Sequence, residues 1–131
     1  MKEMLDQLLP SIPEERPNHL LGIGDLESID LSIPLGIDTF DSSYPTRAAR
    51  HGTALSKLGN INLTKKENSL NFLPLEVGCC CYTCTHFTTS YIHHLFKAKE
   101  LTALSLTTIH NLHFMVEKMK DYREKILRDD L

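Results

Sequence analysis

The chain has 131 residues, 41% of them hydrophobic and 24% charged, with a formal net charge of −3. That supplies one modest core, and no apolar run approaches the roughly 18 residues a membrane-spanning helix needs. The slightly acidic balance excludes a global attraction to nucleic acid, so any RNA contact must come from a local cationic patch. The N-terminal Met1-Lys-Glu-Met-Leu carries charges where a signal peptide needs a continuous apolar stretch, which points to a reducing cytoplasm.

Met4, Leu5, Leu8 and Leu9 recur at helical spacing, and Pro10, Pro13 and Pro17 end that helix. The apolar run His19-Leu-Leu-Gly-Ile-Gly24 is too short for a helix and suits a buried parallel strand. Asp25 then stands as an N-cap before Leu26, Ile29 and Ile33, a helix closed by Pro34 and Gly36. Gly36-Ile-Asp-Thr-Phe-Asp41 reads as a second strand, with Ile37, Thr39 and Asp41 on one face and Asp38 and Phe40 on the other. Strand, helix, strand order implies a parallel sheet, whose C-terminal strand ends carry active sites. Asp41 falls at such an end.

Ser42 to Gly52 reads as a loop rich in turn formers, in which Arg47 and Arg50 could both point guanidinium groups at phosphates. A small hairpin is expected around Gly59, followed by the polar stretch Thr64 to Ser69. After the cysteines come two helices. Tyr91, Ile92, Leu95 and Phe96 form an apolar face on the first, while Leu112, Met115, Val116, Met119, Tyr122, Ile126 and Leu127 keep a 3 to 4 residue period on the last.

All four cysteines lie in the run Cys79-Cys80-Cys81-Tyr-Thr-Cys84. Cys79-x-Cys81-x2-Cys84 leaves too little loop for several unstrained disulfides, whereas three thiolates and one imidazole complete a tetrahedral zinc site with no open position. Such a site stabilises a fold and performs no chemistry. Spacing does not choose the imidazole among His86, His93, His94, His110 and His113.

Four segments, in order, resemble the C-terminal part of the tRNA-guanine transglycosylase family, also called queuine tRNA-ribosyltransferase: HLLGIG, GIDTFDSSYPTRAARHG, CCCYTC and TTIHNLHF. The combination of Asp-x5-Arg-x2-Arg, Cys-x-Cys-x2-Cys and a downstream histidine carries the resemblance. It implies the C-terminal portion of a (β/α)8 TIM-type barrel, an α/β fold, with a zinc-binding subdomain. Residues 1–51 would supply the last strand-helix units and the catalytic loop, and residues 52–131 the zinc subdomain and C-terminal helices.

The resemblance also implies roles. Asp41 becomes the nucleophile that attacks the anomeric carbon, guanine at the anticodon wobble position departs, and a free deazaguanine base, queuine or its precursor, displaces the aspartate with retention. Leu21 and Gly22 become substrate-binding residues, with Leu21 packed on the base. Arg47 and Arg50 become contacts to the tRNA anticodon loop. Cys79, Cys81, Cys84 and His110 become the ligands of a structural zinc ion, and Cys80 a spectator. Ser42 stands where the family commonly has cysteine, and Asp25 where some members have lysine. Asp38 is set aside as the acid or base, since strand parity turns it from Asp41.

A complete barrel needs about 250 residues, so the chain is expected to be part of a longer enzyme, as a truncated or split gene product. Base exchange by the isolated polypeptide should be slight. In the whole enzyme a homodimer or heterodimer is expected. The alternatives are a noncatalytic, zinc-stabilised tRNA-binding module and a dimerisation element; neither role requires the carboxylate of Asp41.

Overall fold

A computed structural model describes residues 1–13 and 15–131. They form two compact units, Met1–Tyr44 and Pro45–Leu131, and the architecture mixes short strands with helices.

In the first unit, α1 (Lys2–Leu8) passes into a 3-10 turn at Leu9–Ser11, where Pro10 removes a backbone donor and stops the helix. Strand β1 (His19–Leu20) lies parallel to β2 (Thr39–Phe40), His19 opposite Thr39 and Leu20 opposite Phe40. Between them runs α2 (Leu26–Ser32), whose Ser28 N–H donates to Asp25 Oδ1 at 2.9 Å. This is the expected N-cap, and it satisfies one of the orphan donors of the helix start. After a 3-10 turn at Ile33–Leu35, Gly36 adopts φ +96° and turns the chain toward β2. Leu5, Ile29, Ile33 and Ile37 are buried in this unit.

The ladder is shorter than the apolar runs that suggested it. Gly22 at φ +72° turns the chain out of β1 just after Leu20, a conformation that glycine adopts without a steric penalty. Gly24 answers a different demand. A Cβ there would lie 2.4 Å from Cβ of Ser42, so only glycine lets the segment after β1 approach the segment after β2 this closely.

From its second residue on, α3 (Tyr44–Arg50) belongs to the second unit, which also holds the antiparallel pair β3 (Thr53–Ala54) and β4 (Ile61–Asn62), a 3-10 turn at Lys66–Leu70, and the helices α4 (Tyr82–His86), α5 (Thr89–Lys97) and α6 (Thr102–Leu127). Its core joins Ala54, Leu63, Leu75 and Ile92, with Phe87 and Phe96 at the margin. A second cluster of Leu95, Ala103 and Leu106 seals α5 against α6.

One reading of the sequence changes here and another is refined. The expected loop from Ser42 contains α3: Pro45 sits in the first turn, where its missing N–H costs nothing, and Ser42 Oγ accepts from the Tyr44 N–H at 3.1 Å. On α6 the periodic apolar residues of the C-terminal half are not a buried face, since Leu112, Val116, Ile126 and Leu127 are exposed. The buried stripe lies earlier and is partly polar, comprising Ala103, Leu106, Thr107, His110, Asn111 and Phe114.

Candidate metal centre and candidate active site

Cys79, Cys81, Cys84 and His110 meet in the second unit, with their ligand atoms all within 4.8 Å of one another. Nδ1 of His110 stands 3.8 Å from Sγ of Cys79, 3.6 Å from Cys81 and 3.3 Å from Cys84. A four-coordinate ion held at about 2.0 to 2.3 Å sets its nitrogen and sulfur ligands about 3.5 to 3.8 Å apart. The four residues are therefore arranged to hold a metal ion.

Local structure explains the convergence. Cys81 is the N-cap of α4, and its Sγ accepts from the Cys84 N–H at 3.4 Å. Thr83 Oγ1 donates to the Leu106 carbonyl at 2.6 Å, fastening α4 to α6 one turn before His110. His110 is 0% exposed, and its Nε2–H donates to the Leu55 carbonyl at 2.8 Å. With that proton fixed on Nε2, Nδ1 presents its lone pair to the thiols.

Burial favours the neutral forms of His110, Cys79 and Cys84. It lowers the pKa of His110, against the opposing pull of the Leu55 carbonyl, so the imidazole is uncharged at neutral pH. It raises the thiols of Cys79 and Cys84 above the ordinary cysteine range, against a lowering hydrogen bond from the Cys81 backbone to Cys79 and from the Glu76 backbone to Cys84. Without an ion these sulfurs keep their protons, and a bound cation must displace them.

The other candidate histidines, His86, His93, His94 and His113, lie outside the cluster. His93 Nδ1 lies 2.7 Å from the Leu63 carbonyl, His86 Nδ1 lies 2.9 Å from the Tyr82 carbonyl, and Nε2 of His113 is 3.6 Å from Sγ of the exposed Cys80. Geometry thus selects His110 where spacing could not, and leaves Cys80 outside the four-residue cluster.

Asn111 is a supporting residue that the sequence did not single out. Fully buried, it accepts from the Leu55 N–H at 2.9 Å and donates to the carbonyls of Pro45 at 3.0 Å and Thr53 at 2.9 Å. It therefore fixes the segment whose Leu55 carbonyl orients His110, and also the first turn of α3. Helix α3 carries Arg47 and Arg50 three positions apart and exposed. Neither makes a salt bridge among the described residues. A polar residue next to a metal-ligand candidate on a buried helix stripe was the available signal.

In the first unit, Asp41 follows the C-terminal end of β2 with its side chain 58% exposed. Its Oδ1 accepts from the Gly22 N–H at 3.1 Å and from His19 Nε2 at 2.9 Å. Donation by the Gly22 amide, then by His19, holds the carboxyl below its ordinary range, so Asp41 is ionised at neutral pH. The second oxygen carries no hydrogen bond among the described residues. Asp38 is occupied by the N–H of Asn18, which it accepts at 2.7 Å. Leu21 is 79% exposed and takes no part in the core of this unit. Gly22 directs its N–H to Asp41.

Taken together, these features describe an α/β protein with four residues placed to hold a metal ion and an ionised, accessible aspartate just beyond the C-terminal end of a parallel strand. Among the described residues no helix is long and apolar enough to cross a membrane. The family model for queuine tRNA-ribosyltransferase matches residues 1–131, and the chain belongs to that family. It is 61% identical over 129 residues to a queuine tRNA-ribosyltransferase of Protochlamydia amoebophila, covering 98% of this chain and 33% of the relative. The corresponding protein of Chlamydia caviae is 46% identical over 132 residues, covering 100% of this chain and 36% of the relative. That of Desulforudis audaxviator is 43% identical, covering 98% and 35%. The chain thus spans about a third of the length of these relatives.

Proposed function

We propose that this chain is the C-terminal part of an enzyme that exchanges guanine at the anticodon wobble position of tRNA for queuine or a 7-deazaguanine precursor. Residues 1–51 would complete a (β/α)8 barrel with strands lying upstream, and residues 52–131 would form its zinc subdomain. The observation that carries this reading is the Asp41 carboxylate, ionised, exposed and with one oxygen unengaged among the described residues. Neither an RNA-binding module nor a dimerisation element would require it.

A lone pair on Oδ2 forms the bond to C1′ of the ribose while the C1′–N9 bond breaks, its electron pair leaving with guanine, which is protonated by an acid supplied outside this chain. The incoming base nitrogen then attacks C1′ and gives up its proton to the conjugate base of that same acid. The C1′–Oδ2 bond breaks, and its pair returns to the carboxylate. Two inversions give retention.

Leu21 offers an exposed apolar surface to the base, and Gly22, lacking a side chain, leaves room beside Asp41 while holding it. Arg47 and Arg50 share one side of α3, where planar guanidinium groups can take phosphate and base oxygens of an unpaired loop. Cys79, Cys81, Cys84 and His110 would hold zinc, whose contribution is to cross-link α4, the cysteine turn and α6; the softness of three thiolates favours that ion. The work of such an enzyme belongs in the cytoplasm, on free tRNA, with a second subunit of its own or a related kind.

The test is incorporation of labelled guanine into tRNA by the full-length polypeptide that contains this chain. Asp41→Asn should lower the rate by about 10⁴-fold or more, as expected for loss of a covalent nucleophile, with metal content unchanged. An Asp41→Asn protein that exchanges guanine normally would overturn the reading. Salt-sensitive tRNA binding without exchange in the unaltered polypeptide would favour the noncatalytic module instead.

A further inference from the structure

The contact between His19 and Asp41 is too exposed to matter much to the fold. The two side chains are 44% and 58% exposed, and polar pairs so open to water contribute little to stability. Strand pairing, moreover, is already secured by the β1–β2 ladder. Yet the arrangement is specific at both ends of the ring. Nδ1 of His19 meets Thr39 Oγ1 at 2.8 Å, and Nε2 meets Asp41 Oδ1 at 2.9 Å.

We propose that His19 is a positioning residue for Asp41, acting with the Gly22 N–H to hold Oδ1 so that Oδ2 alone faces the reacting sugar carbon. The inference rests on the reading of Asp41 as nucleophile given above. Parallel register creates the juxtaposition: His19 stands opposite Thr39, and Asp41, two residues on, projects from the same face. A carboxylate acceptor obliges Nε2 to donate. In the neutral ring Nδ1 then accepts the Thr39 hydroxyl proton, which fixes the plane of the imidazole.

Two donors on one oxygen choose one orientation of a terminal torsion that is otherwise broad. The same donors remain useful after attack. In the ribosyl ester Oδ1 is the carbonyl oxygen, and when the C1′–Oδ2 bond breaks they stabilise the charge returning to the carboxylate. Loss of His19 should therefore appear in turnover rather than in binding.

The experiment compares His19→Leu, His19→Gln, Thr39→Val and Asp41→Asn in the full-length polypeptide, measuring kcat and the KM for tRNA and for guanine separately. His19→Leu should lower kcat about ten- to a hundredfold with both KM values within about twofold, as expected for loss of a donor to a charged group. Gln can place an amide N–H near the position of Nε2, and His19→Gln should return kcat to within about threefold of the unaltered enzyme. Thr39→Val frees the ring while retaining it, and should lower kcat about threefold without moving KM. If Asp41→Asn is inactive but His19→Leu turns over normally, or Gln is as poor as Leu, or the loss lies wholly in KM, the role of His19 falls while that of Asp41 stands. Normal exchange by Asp41→Asn would remove both.

Discussion

The Cys79–Cys81–Cys84–His110 cluster and the Asp41 carboxylate hold their polar groups in opposite ways. The cluster draws its four ligands from one compact unit, with His110 fully buried and oriented by a backbone carbonyl that Asn111 in turn secures. Asp41 stands in a unit with a two-stranded sheet, more than half exposed and anchored through one oxygen. The structural metal proposed above would need closure, and the buried Cys81 and His110 supply it. The nucleophile proposed above would need access, and the hydrogen bonds to Asp41 Oδ1 orient its carboxylate while the other oxygen carries none among the described residues.

The sharpest way to break this contrast is to remove a metal ligand. His110→Ala or Cys81→Ser should abolish metal binding and, since structural zinc contributes on the order of 10 kcal/mol to a small site, unfold much of the second unit; metal analysis with circular dichroism would show it. Acid should do the same reversibly. Burial lowers the His110 pKa and raises those of Cys79 and Cys84, so the metal-ready forms, neutral imidazole and thiolate, are both lost as pH falls. The sign is thus the same for both residue types: metal affinity rises with pH, and chelator titrations from pH 8 down to about 5.5 should show weakening at every step.

Next in size is Asn111→Ala. It strands the Leu55 N–H and the carbonyls of Pro45 and Thr53 in a buried setting, which should cost about 3 kcal/mol in chemical denaturation. Because Leu55 also orients His110, metal affinity should fall about ten- to a hundredfold. Smaller still is Arg47→Ala or Arg50→Ala. Each should weaken tRNA binding by about tenfold and flatten its dependence on log salt by about 0.7 per arginine, with the metal retained.

Much of this was legible in the sequence wherever a local rule decided the outcome. Asp25 capped α2 as its position before Leu26 required, Pro34 and Gly36 closed that helix, and the hairpin formed around Gly59. Local rules misjudged Ser42 to Gly52, because Ser-Ser-Tyr-Pro is as suitable for starting a helix as for making a turn. On α6 the apolar period marked the helix but not its buried side, since Leu112, Val116, Ile126 and Leu127 are exposed. Tertiary facts were the least visible. His19 reaches Asp41 only through the parallel register of β1 and β2, and Asn111 is recognisable only when its three partners are seen to converge on it.

The claim at the centre of this account is that Asp41 forms the bond to RNA. The direct measurement is to quench the full-length polypeptide during turnover with tRNA, digest both components, and locate any ribose-linked residue by mass spectrometry. The account predicts a nucleotide ester on the peptide containing Asp41, absent from Asp41→Asn. An ester mapped to a different carboxylate, with exchange intact, would contradict it.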